Sequence, residues 1–141
     1  VNPEIPLTLI IMPDRLGVAR FPADVPLPDA ILRTVGMPQA GFVSITCTGR
    51  EQSVVAREDL LTSLDGAQVE GGWRVFGLAG PLDFALVGIL ADISGVLAES
   101  GISIFAISTY DTDYILVKEI RLRAAKAALV AAGYRVTEAA D

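Results

Sequence analysis

The chain has 141 residues, 52% of them apolar and 20% charged, with 11 basic against 17 acidic side chains and a net charge of −6. That balance excludes nucleic-acid binding, which needs clustered Lys and Arg to displace counterions from phosphates. Histidine is absent and Cys47 is the only cysteine, which excludes histidine-based nucleophilic catalysis, an intrachain disulfide and a Cys/His zinc site.

In chain order, residues 7–11 read as a buried strand ended by Pro13-Asp14, and residues 16–21 as a second short strand. Pro22, Pro26, Pro28 and Pro38 leave room only for a short helix over residues 28–35, with Pro28 in its first turn. Residues 42–48 and 52–56 form a hairpin around Gly49-Arg50. Cys47 closes an apolar run and is expected to be a buried thiol. Residues 57–61 make a helical turn, and Asp65-Gly66 marks the expected boundary between two halves, 1–66 and 67–141. Each half is small enough to be marginal alone, so the two are expected to pack together.

Residues 73–78 then form a strand broken by Gly80-Pro81. Asp83 suits a helix N-cap, because its carboxylate accepts bonds from first-turn amides. From there Leu86, Leu90, Ile93 and Leu97 fall on one helical face, and Gly101 ends the helix. Gly88 and Gly95 on that helix would admit close approach of a neighbour. Trp73 reads as a core or interface anchor. Residues 102–110 and 113–117 are hairpin strands around Asp111-Thr112, residues 121–132 an Ala-rich helix closed by Gly133, and residues 134–137 a last strand. The order β-α-β-β-α-β defines a ferredoxin-like split motif, an α+β fold with both helices on one face of an antiparallel sheet.

The halves share a repeat. A shift of 61 residues puts Thr48 on Thr109, Val54 on Ile115, Val55 on Leu116, Arg57 on Lys118 and Glu58 on Glu119. Apolar strand positions match easily by chance, but the paired threonines and the paired basic-Glu dipeptides point to duplication.

The strings Gly80-Pro-Leu-Asp-Phe and Ser108-Thr-Tyr-Asp-Thr-Asp-Tyr-Ile-Leu-Val-Lys-Glu carry a family resemblance. The chain resembles stand-alone bacterial ACT-domain proteins, aspartokinase regulatory domains and the CASTOR arginine sensors, strongly over residues 70–138 and in the first half through the repeat. The resemblance implies two ferredoxin-like ACT modules packed together, the first with a shortened first helix. It further implies an amino acid bound between modules, with contacts from Gly80, Leu82, Asp83, Phe84 and Leu86 in the loop entering the first helix. Ser108, Thr109, Tyr110 and Asp113 on the second strand and its turn supply the rest. In the arginine sensors, the residues matching Thr109 and Asp113 face the ligand. An acidic residue of those sensors is matched here by Leu86, which argues against arginine and for a small or apolar amino acid.

The chemistry of a free amino acid suits these positions. Helix-start amides donate to its carboxylate, while Asp83 or Asp113 takes its ammonium with Ser108 and Thr109 as hydroxyl partners. Each residue also has a plainer role: Asp83 as a cap, Asp111 and Asp113 as turn residues, and Tyr110 and Tyr114 as strand formers. The Asp-Thr-Asp triplet gathers too few oxygens for a metal. The expectation is a non-catalytic amino-acid sensor without cofactor, a homodimer acting on an unidentified protein partner. The alternative is an assembly protein that keeps the interface and has lost the ligand. The Val1-Asn-Pro-Glu start has no basic and apolar leader pattern, and apolar stretches fall short of a membrane span, so the expected location is cytoplasmic and off the membrane.

Overall fold

The computed structural model describes residues 7–79 and 88–139. Its elements, in chain order, are β1 (Thr8–Ile11), β2 (Leu16–Pro22), α1 (Asp29–Thr34), β3 (Ser44–Cys47), β4 (Glu51–Arg57), α2 (Glu58–Thr62) and β5 (Gln68–Leu78). There follow α3 (Ile89–Glu99), β6 (Phe105–Ser108), β7 (Asp113–Lys118), α4 (Leu122–Ala131) and β8 (Arg135–Glu138). The fold class read from the sequence is confirmed: an α+β, ferredoxin-like arrangement.

The division into compact units differs from the expected split at 66/67. One unit is Asp14–Trp73, and the other joins residues up to Pro13 with those from Arg74 onward. Two features of strand pairing explain this. Strand β1 hydrogen-bonds antiparallel to β5, with Leu9 opposite Leu78, and parallel to β8, with Leu9 opposite Val136. Strand β5 begins at Gln68, five residues before the expected strand start at Trp73, and its first part pairs with β2.

The inserted unit is therefore a complete β2-α1-β3-β4-α2-β5 motif with strand order β3-β4-β2-β5. Strand β4 runs antiparallel to β2 with Val54 opposite Ala19, and Ala19, Phe21, Ile31, Val54, Ala56 and Leu61 form the buried core. Helix α1 is short, as the prolines require, with Pro28 immediately before it. Cys47 is exposed, against the sequence expectation. The strand that carries it, β3, stands at the end of the strand order, so its apolar run is covered only in part.

The flanking unit repeats the motif with β1 added, in the order β6-β7-β5-β1-β8. Leu9 and Ile11 of β1 alternate inward with Phe76 and Leu78 of β5, and α3 and α4 contribute Ile93, Leu97, Ala125 and Leu129 to the same core. Burying such side chains stabilises by about 1.5–3 kcal/mol each. Helix α3 is described from Ile89, with Gly88 in the cap position at φ +84°, a left-handed conformation that suits glycine; the cap expected at Asp83 lies outside the described residues. Among the described residues, a Cβ at Gly88 or Gly95 would meet nothing within 4 Å.

A polar tie lies at the rim of this core. The Tyr134 hydroxyl donates to the Asp92 carboxylate, linking the start of α3 to the turn before β8. Burial, and then the neighbouring carboxylate, raise the phenol pKa well above its usual value. Tyr134→Phe is expected to cost about 1–2 kcal/mol near neutral pH, by loss of a hydrogen bond to a charged group. The unfolded phenol ionises near pH ~10 while the folded one keeps its proton, so the wild-type advantage over Tyr134→Phe shrinks as pH rises above about 10. Urea denaturation of both proteins across that range measures it.

Candidate functional site

The hairpin joining β6 to β7 carries the sequence-predicted residues that fall within the described chain. Its strands pair with Phe105 opposite Leu116 and Ser108 opposite Asp113. Local chemistry sets the turn: the Thr109 amide donates to the Thr112 carbonyl at 2.8 Å, and the Thr109 hydroxyl donates to the same carbonyl at 3.1 Å. The Thr112 amide donates back to Thr109 Oγ1 at 3.3 Å. A threonine side chain thus stands in for part of a backbone turn.

At the base of the turn, Ser108 Oγ donates to Asp113 Oδ1 at 2.5 Å. Thr112 Oγ1 donates to the Leu78 carbonyl at 3.2 Å, fixing the turn against the end of β5. The Ala79 amide donates to the Thr8 carbonyl, which holds the same strand end from its other side. The hairpin therefore sets a carboxylate and two hydroxyls beside the point where the chain leaves β5 for α3. Ser108 and Thr109 are exposed and Asp113 half-buried. Tyr110 is 83% exposed at the tip, too open to be a core residue.

Ser108, Thr109 and Asp113 are thus brought together, with Tyr110 at the rim. Gly80, Leu82, Asp83, Phe84 and Leu86 lie outside the described residues. Among the described residues no group of three or more His, Cys, Asp or Glu side chains is placed to hold a metal ion, and no helix is long and apolar enough to cross a membrane.

The repeat read from the sequence reappears in the hydrogen bonding of the inserted unit. There the Thr48 amide donates to the Glu51 carbonyl at 2.9 Å, and the Glu51 amide donates to Thr48 Oγ1 at 3.2 Å. These are the Thr109 and Thr112 bonds displaced by 61 residues. A matching ion pair occurs in each unit. Arg15, before β2, meets Glu58 at the start of α2 at 2.6 Å, and Arg74, in β5, meets Glu119 just before α4 at 3.7 Å.

Sequence reasoning missed two cavities in the inserted unit. One of about 440 Å³ is lined by Arg33, Met37, Arg57, Asp59 and Leu60 among others. Another of about 470 Å³ adjoins it across Thr34, Met37 and Ala40. The apolar residues just after α1, Val35 and Met37, were the available signal.

Comparisons with known proteins agree with this architecture. A family model described as ACT domain matches residues 68–131. Over 80 residues the chain is 39% identical to the human cytosolic arginine sensor for mTORC1 subunit 1, an alignment covering 56% of this chain and 23% of that protein. The chain thus spans about a quarter of the curated relatives it matches. The crystal structure of protein Atu0741 from Agobacterium tumefaciens superposes with a TM-score of 0.84 at 31% identity, covering 97% of this chain and 96% of that one. The regulatory subunit of aspartate kinase from Thermus thermophilus superposes with a TM-score of 0.63 at 13% identity, covering 89% and 96%, a likeness of fold alone.

Proposed function

The chain belongs to the ACT-domain family, and on that premise we propose that it is a non-catalytic regulatory protein that binds a free amino acid. The observation that carries this reading is the Ser108–Asp113 pair at the base of the β6–β7 turn, beside the end of β5. A carboxylate offers about four lone-pair sites, and Ser108 engages one of them. A ligand ammonium is the complementary group, a cation whose hydrogen bonds to a carboxylate are among the stronger ones available. Thr109 and Ser108 supply hydroxyls within the same turn, and Tyr110 an aromatic rim.

The sensor relative is named for arginine, and the inference here differs in ligand. Leu86, which the resemblance matches to an acidic residue of those sensors, offers no charge to a guanidinium, so a small or apolar amino acid is the proposed ligand. A binding event of this kind regulates by favouring one conformational state over another, with the output passing to a separate protein.

A thermal-shift screen against the twenty amino acids tests the proposal. A ligand present at a hundred times its dissociation constant stabilises by about 2.7 kcal/mol, a rise of roughly 5–10 °C for a domain of this size. A shift with arginine alone would replace the proposed ligand class, and no shift with any amino acid would favour an assembly protein without ligand.

A further inference from the structure

The duplicated hairpin of the inserted unit differs from its counterpart at the two positions that matter for a ligand. The 61-residue shift matches Ser108 to Cys47 and Asp113 to Gln52. The side-chain geometry is kept: Cys47 Sγ lies 3.8 Å from Gln52 Oε1, where Ser108 Oγ meets Asp113 Oδ1. The chemistry is reversed. An acceptor-only carboxylate is replaced by a carboxamide whose nitrogen donates. Gln52 Nε2 lies 2.9 Å from the Pro22 carbonyl and 2.5 Å from the Val25 carbonyl. Two carbonyl oxygens can face only the nitrogen of the amide, so its orientation is fixed by its partners.

Pro22 ends β2, and Val25 lies in the connection from β2 to α1. A donor nitrogen is therefore held where the first strand of the unit gives way to its first helix, with two carbonyls around it. The hairpin tip is also tied to β2, through Arg20 Nη2 donating to the Arg50 carbonyl at 3.3 Å and the Arg20–Glu51 ion pair at 3.6 Å.

We propose that Gln52 is a built-in substitute for a ligand ammonium, which closes the inserted unit's copy of the site so that each chain binds one amino acid, beside Asp113. This rests on the amino-acid reading of the Asp113 hairpin. It explains why duplication kept the turn threonine while changing the Ser/Asp pair to Cys/Gln. Gln52→Asp removes the donor and leaves a carboxylate among carbonyl acceptors, an environment that favours a cation.

Native mass spectrometry with each of the twenty L-amino acids counts the ligands per chain. At a ligand concentration just sufficient to saturate the wild type, one in the wild type, almost none in Asp113→Asn and two in Gln52→Asp is the expected result. Two in the wild type would overturn the closed copy and leave the amino-acid reading intact, as would one in a Gln52→Asp protein with unchanged circular dichroism. Binding by Gln52→Asp alone would overturn the reading of Asp113 and uphold the closed copy; no binding by any of them would overturn both. Should Gln52→Asp fail to fold, the Gln52 side-chain amide signals of the wild type decide. They are expected to stay unmoved at ligand saturation, and a shift matching that of Thr109 would overturn the proposal.

Discussion

Asp113→Asn is expected to weaken amino-acid binding about 10- to 150-fold while the melting temperature of the free protein stays within a few degrees of wild type. The two effects separate because the carboxylate has two unequal jobs. In the free protein it accepts one hydrogen bond from Ser108 on an exposed turn, and asparagine retains an oxygen that accepts it. Turn geometry depends instead on Thr109 and Thr112, which the substitution leaves alone. In the proposed complex the same carboxylate would face an ammonium, and a hydrogen bond to a charged partner is worth about 1.5–3 kcal/mol. Calorimetric titration with the amino acid that gives the largest thermal shift, alongside thermal melts without ligand, measures both quantities. Equal losses would reduce Asp113 to a turn residue. Thr109→Val is the complementary substitution. It removes the turn's side-chain bonds, so its stability cost should exceed that of Asp113→Asn.

What the sequence disclosed follows how local each determinant is. The β6–β7 hairpin was legible because its turn is made by residues three apart, Thr109 and Thr112, and the same pattern at Thr48 and Glu51 exposed the duplication. The second-half motif was legible because Leu90, Ile93 and Leu97 follow a helical period and Gly101 and Gly133 end their helices. The unit boundary was not legible, since it depends on β1 pairing with β5 and β8, partners remote in sequence. Burial of Cys47 was misjudged for a related reason. An apolar run does not reveal whether its strand is central or stands at the end of the order, as β3 does. The repeat alone shows Gln52 standing where the second half has Asp113, but not its role, which lies in two backbone carbonyls some thirty residues earlier.

Gly71-Gly72 supplies the largest expected loss of stability. The pair precedes the strand start expected at Trp73, and β5 runs through it from Gln68. Leu16 pairs with Trp73 and Val18 with Glu70, so β5 spends one more residue than β2 over this stretch, a β-bulge. Gly72 accommodates it at φ +78°. The bulge is held by Glu58, whose Oε1 accepts the Gly72 amide at 3.1 Å while Oε2 pairs with Arg15 Nε at 2.6 Å. A Cβ on Gly71 would stand 1.9 Å from that Oε1. Gly71→Ala must therefore displace the Glu58 carboxylate, leaving the Gly72 amide without this acceptor. The lost charge-assisted bond is worth about 1.5–3 kcal/mol, whereas the half-exposed Arg15 pair adds at most about 1 kcal/mol. A loss of about 2–3 kcal/mol in urea denaturation is expected for Gly71→Ala, and a similar loss for Glu58→Ala. The two should not add. Once Glu58 is shortened, the alanine at 71 meets no carboxylate, so the double variant should be about as stable as Glu58→Ala alone, a coupling of roughly 2 kcal/mol, within the range of contacting residues. Additive losses would mean that Gly71 is required for its backbone alone, and that Glu58 does not hold the bulge.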